Sequence, residues 1–485
     1  MRDRLLTPDS PVRSSPPWSG ADSWMLAGLL LAALALYFWK LNTPPQLVYD
    51  EKLMLSRTYC YVRGYPAIVP DVHPPLANLL VWLTIVLFGD NPWGWRIPSA
   101  VLGTALVAIT YLLGRRMFSS SLAGALAAAM VLCDGMFLIH SRLALNNISY
   151  VTFGAWAYLL FFRLVQSKGF LQNRLLLVWL AVLLGLSLGA KLLIPGIGWL
   201  LVVGLLLAAT IQWGRENSLS RLVIARYCAG LLALVGAVSA SVYLMVFIPH
   251  YWFGWWKGIE PLFRYYTRVS SANSPSTHPG ASPWWTWPFL LRPYAYWRQL
   301  RPAGMATVIW CGGNPVLWWG AFMALVIQAV RLFTRPTLER SFLVFGYIGY
   351  VAMWIPIKRY IFIYDHLPAA YLAFLALAAV LAECWRQEAP IWEQVMLLIP
   401  LLPTFVLALG SVIIGATLYG AVLVLFIILS CYSQYASRFV FVIFTAAGLM
   451  LFIYFLPVWI ASPISLKGYL ARMWLSGPSK TLNWM

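Results

Sequence analysis

Apolar residues run along this chain in long blocks, and most charged residues fall in the gaps between them. Thirteen blocks are long enough to read as membrane-crossing helices: 24–42, 97–114, 119–138, 147–165, 174–190, 193–212, 223–248, 313–331, 340–356, 363–384, 391–410, 412–432 and 439–458. A further apolar stretch at 76–88 is too short to cross about 30 Å of hydrocarbon. It follows the Pro74-Pro75 turn and reads as a helix lying in the interface. The pattern predicts an all-α polytopic membrane protein of about thirteen spans, with a range of eleven to thirteen, and interfacial helices in its first long loop. Three parts follow: a polar tail at 1–23, a membrane domain at 24–458 carrying two long loops at 43–96 and 249–312, and a tail at 459–485.

Composition agrees with this reading. The chain of 485 residues is 61% hydrophobic and holds 26 Trp, 25 Tyr and 25 Phe, more apolar surface than a soluble fold of that length can hide. A net charge of +19 would suit nucleic acid. The basic residues are spread through short connections at 114–118, 163–174, 213–226 and 331–340, however, and such a bias sets membrane orientation. Those connections are expected on the cytoplasmic side together with Arg2, Arg4 and Arg13, and the partner implied is the bilayer, not nucleic acid. An odd number of spans then puts the C-terminus and both long loops outside. The N-terminus lacks a cleavage signal, so the first span is expected to be retained. Six scattered cysteines show no metal spacing; Cys60 and Cys311 fall on one side, where a disulfide is conceivable.

With this orientation all five histidines (73, 140, 250, 278 and 366) and Asp50, Glu51, Asp71, Asp90, Glu260 and Asp365 collect in or beside the outer surface. Asp50 and Glu51 stand side by side just after the first span, and a partly desolvated carboxylate there can act as a general base. The bland alternative is an ordinary acid at the end of a span. Lys52 follows at once, suited to hold Asp50 ionised or to face a phosphate. In "DVHPPL" two prolines fix an extended entry into the next helix and place His73 at its start. Arg142 lies where one span ends and the next begins; it is either snorkelling or gripping an anion, with Asp134 and Asn146 close enough in sequence to orient it. Lys358, Arg359, Tyr360 and His366 cluster around the start of another span, with His278 in the second long loop. Together they suit a reaction between a lipid-linked phosphate and an external acceptor.

The ordered set of segments resembles the protein O-mannosyltransferase family and, more distantly, the polyprenyl-phosphate-sugar transferases of the GT-C fold. It comprises Asp50-Glu51, "DVHPPL" at 71–76, "WRIPSAVLGTALVAITYLLGRRMF" at 95–118, "SRLALNN" at 141–147, "THPGASPWWTWPFLLRP" at 277–293, "GNPVLWW" at 313–319, "RYIFIYDHLPAAYL" at 359–372 and "ISLKGYLARMWL" at 464–475. The resemblance implies a GT-C helical bundle with Asp50 as catalytic base beside Glu51. It also implies Arg142 as the ligand of the donor phosphate, supported by Lys52, Lys358 and Arg359, with His73, Asp134, Asn146, His278, Tyr360 and His366 around the site. This chain has Asn146 where the family usually has Asp, and a second loop of only about sixty residues, so it looks like a compact prokaryotic member of a bacterial plasma membrane. The implied reaction is inverting transfer of a sugar, mannose by resemblance, from a polyprenyl or dolichyl monophosphate to a Ser/Thr hydroxyl of an exported protein at the outer face. It requires no cofactor; His73 and the acids are compatible with a divalent metal that nothing else indicates. Two other readings stand beside it: the same donor with a glycolipid or envelope glycan as acceptor, and a lipid or solute transporter.

Overall fold

The computed structural model describes residues 17–64, 73–167, 169–255, 278, 280–431 and 433–474; Asp71 and Glu260 lie outside them. The helices are α1 Gly20–Phe38, α2 Glu51–Arg63, α3 Leu76–Phe88, α4 Pro92–Phe118, α5 Ser121–Leu132, α6 Gly135–His140, α7 Asn147–Val165, α8 Arg174–Ala190, α9 Leu193–Glu216, α10 Arg221–Met245, α11 Ile248–Trp252, α12 Pro315–Thr334, α13 Leu338–Ala352, α14 Leu367–Arg386, α15 Ile391–Leu398, α16 Leu401–Leu409, α17 Val412–Ser430, α18 Ser433–Trp459 and α19 Leu466–Leu470.

Among the described residues ten segments are long and apolar enough to cross a membrane. Each of the thirteen expected spans has a helical counterpart, but 119–138, 174–190 and 340–356 are carried by shorter helices of 12, 17 and 15 residues. The stretch at 391–410 is bent at Ile399-Pro400 into α15 and α16, as a proline inside a helix requires. The expected interfacial helix at 76–88 is α3, and α2 precedes it in the same loop.

α14 is the central post. Nearly every residue from Leu367 to Ala382 is buried, and it packs on α4, α5, α7, α12, α13 and α18. Its small residues, among them Ala369, Ala370, Ala373, Ala376, Ala378 and Ala379, let neighbours approach closely. α17, by contrast, has only three buried residues and turns its sides outward, as a helix facing hydrocarbon must.

The alternation of helices sends the described parts of the loops at 39–91, 133–146, 191–192, 246–314 and 353–366 to one end of the bundle and the short, Arg-flanked loops to the other. All five histidines lie at the first end. That end also holds structure the all-α reading omits: a small antiparallel sheet of β1 Tyr294–Arg301, β2 Met305–Cys311 and β3 Ile464–Ser465, in that order. The turn Pro302–Gly304, with Gly304 at φ 67°, joins β1 to β2. β3 belongs to the segment that follows α18, so the tail docks onto the second long loop.

Candidate active site

A cleft opens at this end of the bundle, enclosing about 520 Å³ of space, part of it open to solvent. α2 presents Arg57 and Met54 to it, the turn before α3 presents His73, and the start of α7 presents Asn146 and Asn147. Asp50, Lys191 and three tyrosines, Tyr49, Tyr296 and Tyr364, line it as well. The chain reaches Asp50 through Tyr49, a non-glycine residue at φ 48°. That left-handed turn costs of order 1 kcal/mol. It is held by Tyr49 stacking on Tyr296, with ring centroids 4.3 Å apart, and by a hydrogen bond of 2.8 Å from the Tyr294 hydroxyl to the Tyr49 hydroxyl. Asp50 therefore sits at the N-cap position of α2 without capping it, and among the described residues its carboxylate makes no hydrogen bond.

Desolvation pushes the Asp50 carboxyl up to about 6, and the neighbouring Asp365 charge adds to the rise; Lys191 and Arg57 pull the other way. Lys191 is 7% exposed. Its Nζ is 2.9 Å from Asp365 Oδ1 and lies 5.5 Å and 5.7 Å from the ring centres of Tyr150 and Tyr364. An ammonium has three donors, so one ion pair leaves capacity for another anion. The cleft thus joins a carboxylate raised by burial to two buried cations, which suits proton removal beside a bound anion. Among the described residues no three of His, Cys, Asp or Glu are grouped as metal ligands.

Of the residues expected from sequence, Asp50, His73 and Asn146 line this cleft. Glu51 does not. It is wholly buried, and its two oxygens accept from Arg96 Nε and Nη2, each at 2.8 Å, and from the backbone N–H groups of Ala144 and Val48 at 2.8 and 2.9 Å. Arg96 also donates to the carbonyls of Leu41, Pro44 and Gln46. Glu51 is thus the anchor that fixes the loop carrying Asp50, with no oxygen left for substrate.

Arg142 is likewise turned away from the cleft. Its guanidinium donates to the carbonyls of Leu36, Tyr37 and Lys40, capping the C-terminus of α1, where a cation complements the helix dipole. Asp134 caps α6 through Met136 and Phe137 and accepts from the Asn314 backbone and the Trp318 indole, stapling the α5–α6 turn to α12. Lys52 and Lys358 are exposed and, like Arg359 and Tyr360, do not line the cleft. His278 stacks on Tyr360. His366 is buried inside the bundle against Trp287, Trp318 and Tyr347, beside a separate small void. No disulfide joins Cys60 to Cys311: the Cys60 thiol donates to the Ser56 carbonyl and Cys311 lies against Met136.

Lys191 and Arg57 escaped the sequence reading, as did the three tyrosines. The signal for Lys191 was present: it is the one charge between Arg174 and Arg215, at the junction of two apolar helices. Such a lysine is costly unless paired or functional.

The bundle and cleft define a multi-pass membrane protein with the fold of the lipid-phosphate-dependent glycosyltransferases. The structure of the S. cerevisiae protein O-mannosyltransferase Pmt1-Pmt2 complex bound to the sugar donor superposes with a TM-score of 0.72, covering 96% of this chain and 93% of that one at 14% identity. ArnT from Cupriavidus metallidurans bound to undecaprenyl phosphate gives 0.58 over 93% and 79%, also at 14% identity. Residues 72–245 match the family model of dolichyl-phosphate-mannose-protein mannosyltransferases, and 264–478 match that of the C-terminal four-span region of protein O-mannosyltransferases. The polyprenol-phosphate-mannose–protein mannosyltransferase of Mycobacterium tuberculosis is 25% identical over 71% of this chain and 77% of its own. The chain belongs to the protein O-mannosyltransferase family.

Proposed function

We propose that this protein transfers mannose from a polyprenyl-phosphate donor to a hydroxyl of an exported protein, at the non-cytoplasmic face of the plasma membrane. The observation that carries this reading is the pairing, in one cleft, of Asp50 with the buried cations Lys191 and Arg57. The family's relatives supply the donor and acceptor classes. The Arg-flanked short loops at the opposite end support the orientation, since Lys and Arg in short loops favour the cytoplasm.

In this mechanism the donor's lipid tail lies among the spans and its phosphate meets Lys191 and Arg57. Asp50 takes the proton of the acceptor hydroxyl as its oxygen attacks the anomeric carbon. The bond from that carbon to the phosphate oxygen breaks, and the lipid monophosphate leaves carrying the electron pair, its growing charge met by the two cations. A single displacement inverts the anomeric centre. Asp365 holds Lys191 in place, and Glu51 with Arg96 holds the Asp50 loop. Asn146, at the cleft where the family usually has Asp, keeps one negative charge away from the phosphate.

The test uses purified protein, a polyprenyl-phosphate mannose and a Ser/Thr-containing peptide, with mannosyl-peptide read by mass spectrometry. Asp50→Asn should lower transfer by roughly 10²-fold or more at unchanged donor binding. Transfer to glycolipid with none to peptide would move the acceptor class; donor consumption unaffected by Asp50→Asn would remove the base.

A further inference from the structure

One residue of the cleft wall carries a buried polar atom for which the mechanism above has no use. Asn147, the first residue of α7, is 3% exposed, and its amide oxygen has no hydrogen-bond partner. Most buried polar atoms are paired, and one left orphaned costs roughly 1–3 kcal/mol. The amide nitrogen of the same side chain is held: Nδ2 lies 3.3 Å from His140 Nδ1. On the other side of the imidazole, Nε2 lies 3.2 Å from the Tyr296 hydroxyl. An amide nitrogen only donates, so Nδ1 accepts and the ring proton resides on Nε2, which donates to the Tyr296 oxygen. Burial, reinforced by Lys191, pushes the His140 imidazole down to about 3, so it stays neutral and can play both parts. The edges of Tyr296 and Tyr364 pack it at 5.9 and 5.8 Å. With the amide nitrogen toward His140 its oxygen is left over, in a residue that lines the cleft with Asp50 and Lys191.

The unpaired oxygen asks for an O–H or N–H donor. The two substrates offer few. A donor phosphodiester carries no proton at neutral pH, and the acceptor's single hydroxyl proton is directed to Asp50. What remains are the acceptor's backbone N–H groups and the sugar's hydroxyls, and the sugar is the part carried on the phosphate that meets Lys191 in this same cleft. We propose that Asn147, aimed by His140 and Tyr296, accepts a hydrogen bond from one hydroxyl of the transferred sugar and so helps select which sugar is used. This rests on the function proposed above. Asn147 contacts the substrate; His140 is a positioning residue that acts through it.

The experiment measures kcat/KM for polyprenyl-phosphate mannose and its 2-, 3-, 4- and 6-deoxy analogues, in the wild-type protein, Asn147→Ala and His140→Gln. In the wild type one deoxy donor should be used roughly 10-fold less well or worse. In Asn147→Ala the parent donor should fall by a similar factor and that deoxy donor should suffer no further loss, while the other three keep their wild-type ratios to the parent. His140→Gln should narrow the same single ratio. Should alanine prevent folding, judged by gel filtration, the near-isosteric Asn147→Leu serves in its place. Deoxy-to-parent ratios that are all unchanged in the folded Asn147 variant would overturn the inference while leaving the proposed function intact. A wild-type protein that consumes no polyprenyl-phosphate mannose would instead sink the function, and this inference with it.

Discussion

Asp50 and Glu51 are neighbours in sequence with opposite surroundings, one lining the cleft and one paired with Arg96, and their separate removal provides the sharpest test of the roles proposed for them. Glu51→Ala leaves Arg96, whose side chain is wholly buried, without its anion, and leaves the Ala144 and Val48 N–H groups without their acceptor. Removing one partner of a buried ion pair costs about 3–5 kcal/mol. The lower figure alone multiplies the unfolded fraction by roughly 10². Against a total stability of order 5–15 kcal/mol this is a large loss. The assay is the thermal midpoint in detergent, followed by fluorescence-detected gel filtration, beside the transfer rate per folded molecule. Glu51→Ala should lower the midpoint markedly or abolish folded yield. Asp50→Asn should keep the midpoint and lose turnover. Adding Arg96→Met to Glu51→Leu should recover part of the stability lost by Glu51→Leu alone, because the uncompensated guanidinium is gone. A Glu51→Ala protein with a wild-type midpoint and no transfer would refute the anchoring argument and return Glu51 to the chemistry.

Three further outcomes are expected. Because burial raises the Asp50 carboxyl to about 6, the base is ionised above that pH; transfer should plateau above about pH 7 and fall about tenfold per unit below pH 6, a limb that Asp50→Asn should lack. Lys191→Ala should raise the KM for donor at least 10-fold and move that limb to higher pH, since Lys191 is the main charge holding the Asp50 carboxyl down; an unmoved limb would separate the two groups. Arg142→Ala, which uncaps α1, should lower the thermal midpoint while the folded fraction keeps its donor KM; a selective rise in KM with wild-type stability would restore it as a phosphate ligand.

Much of the architecture was legible because crossing a bilayer leaves few choices. Backbone groups in hydrocarbon must bond within their own segment, so a long apolar run is a helix whatever surrounds it. Hence α7 and α8 occupy 147–165 and 174–190 as the sequence indicated, and the Pro-Pro turn marked the start of α3 at Leu76. The short strands were missed because their aromatic content also fits a loop lying on the membrane. Only the closing of β1 on β2, and of β3 from a segment more than 150 residues further on, distinguishes the two.

The amino-acid sequence, then, determined the helical bundle, its likeness to one family, and the gathering of acids and histidines at one end. It also isolated Asp50-Glu51 as unusual. It assigned both neighbouring carboxylates to the chemistry and Arg142 to the phosphate, and could not say which of these side chains line the cleft. Successive residues at a helix start point about 100° apart, so one step along the chain turns Asp50 toward the cleft and Glu51 toward Arg96. Arg142 and Lys191 both sit at the end of an apolar run. Arg142 finds the carbonyls of α1, 102 to 106 residues away, whereas Lys191 finds Asp365, 174 residues away, at the cleft. Partners that distant are brought together only by packing of the whole bundle, and it is the partner that decides whether a buried charge serves the fold or the chemistry.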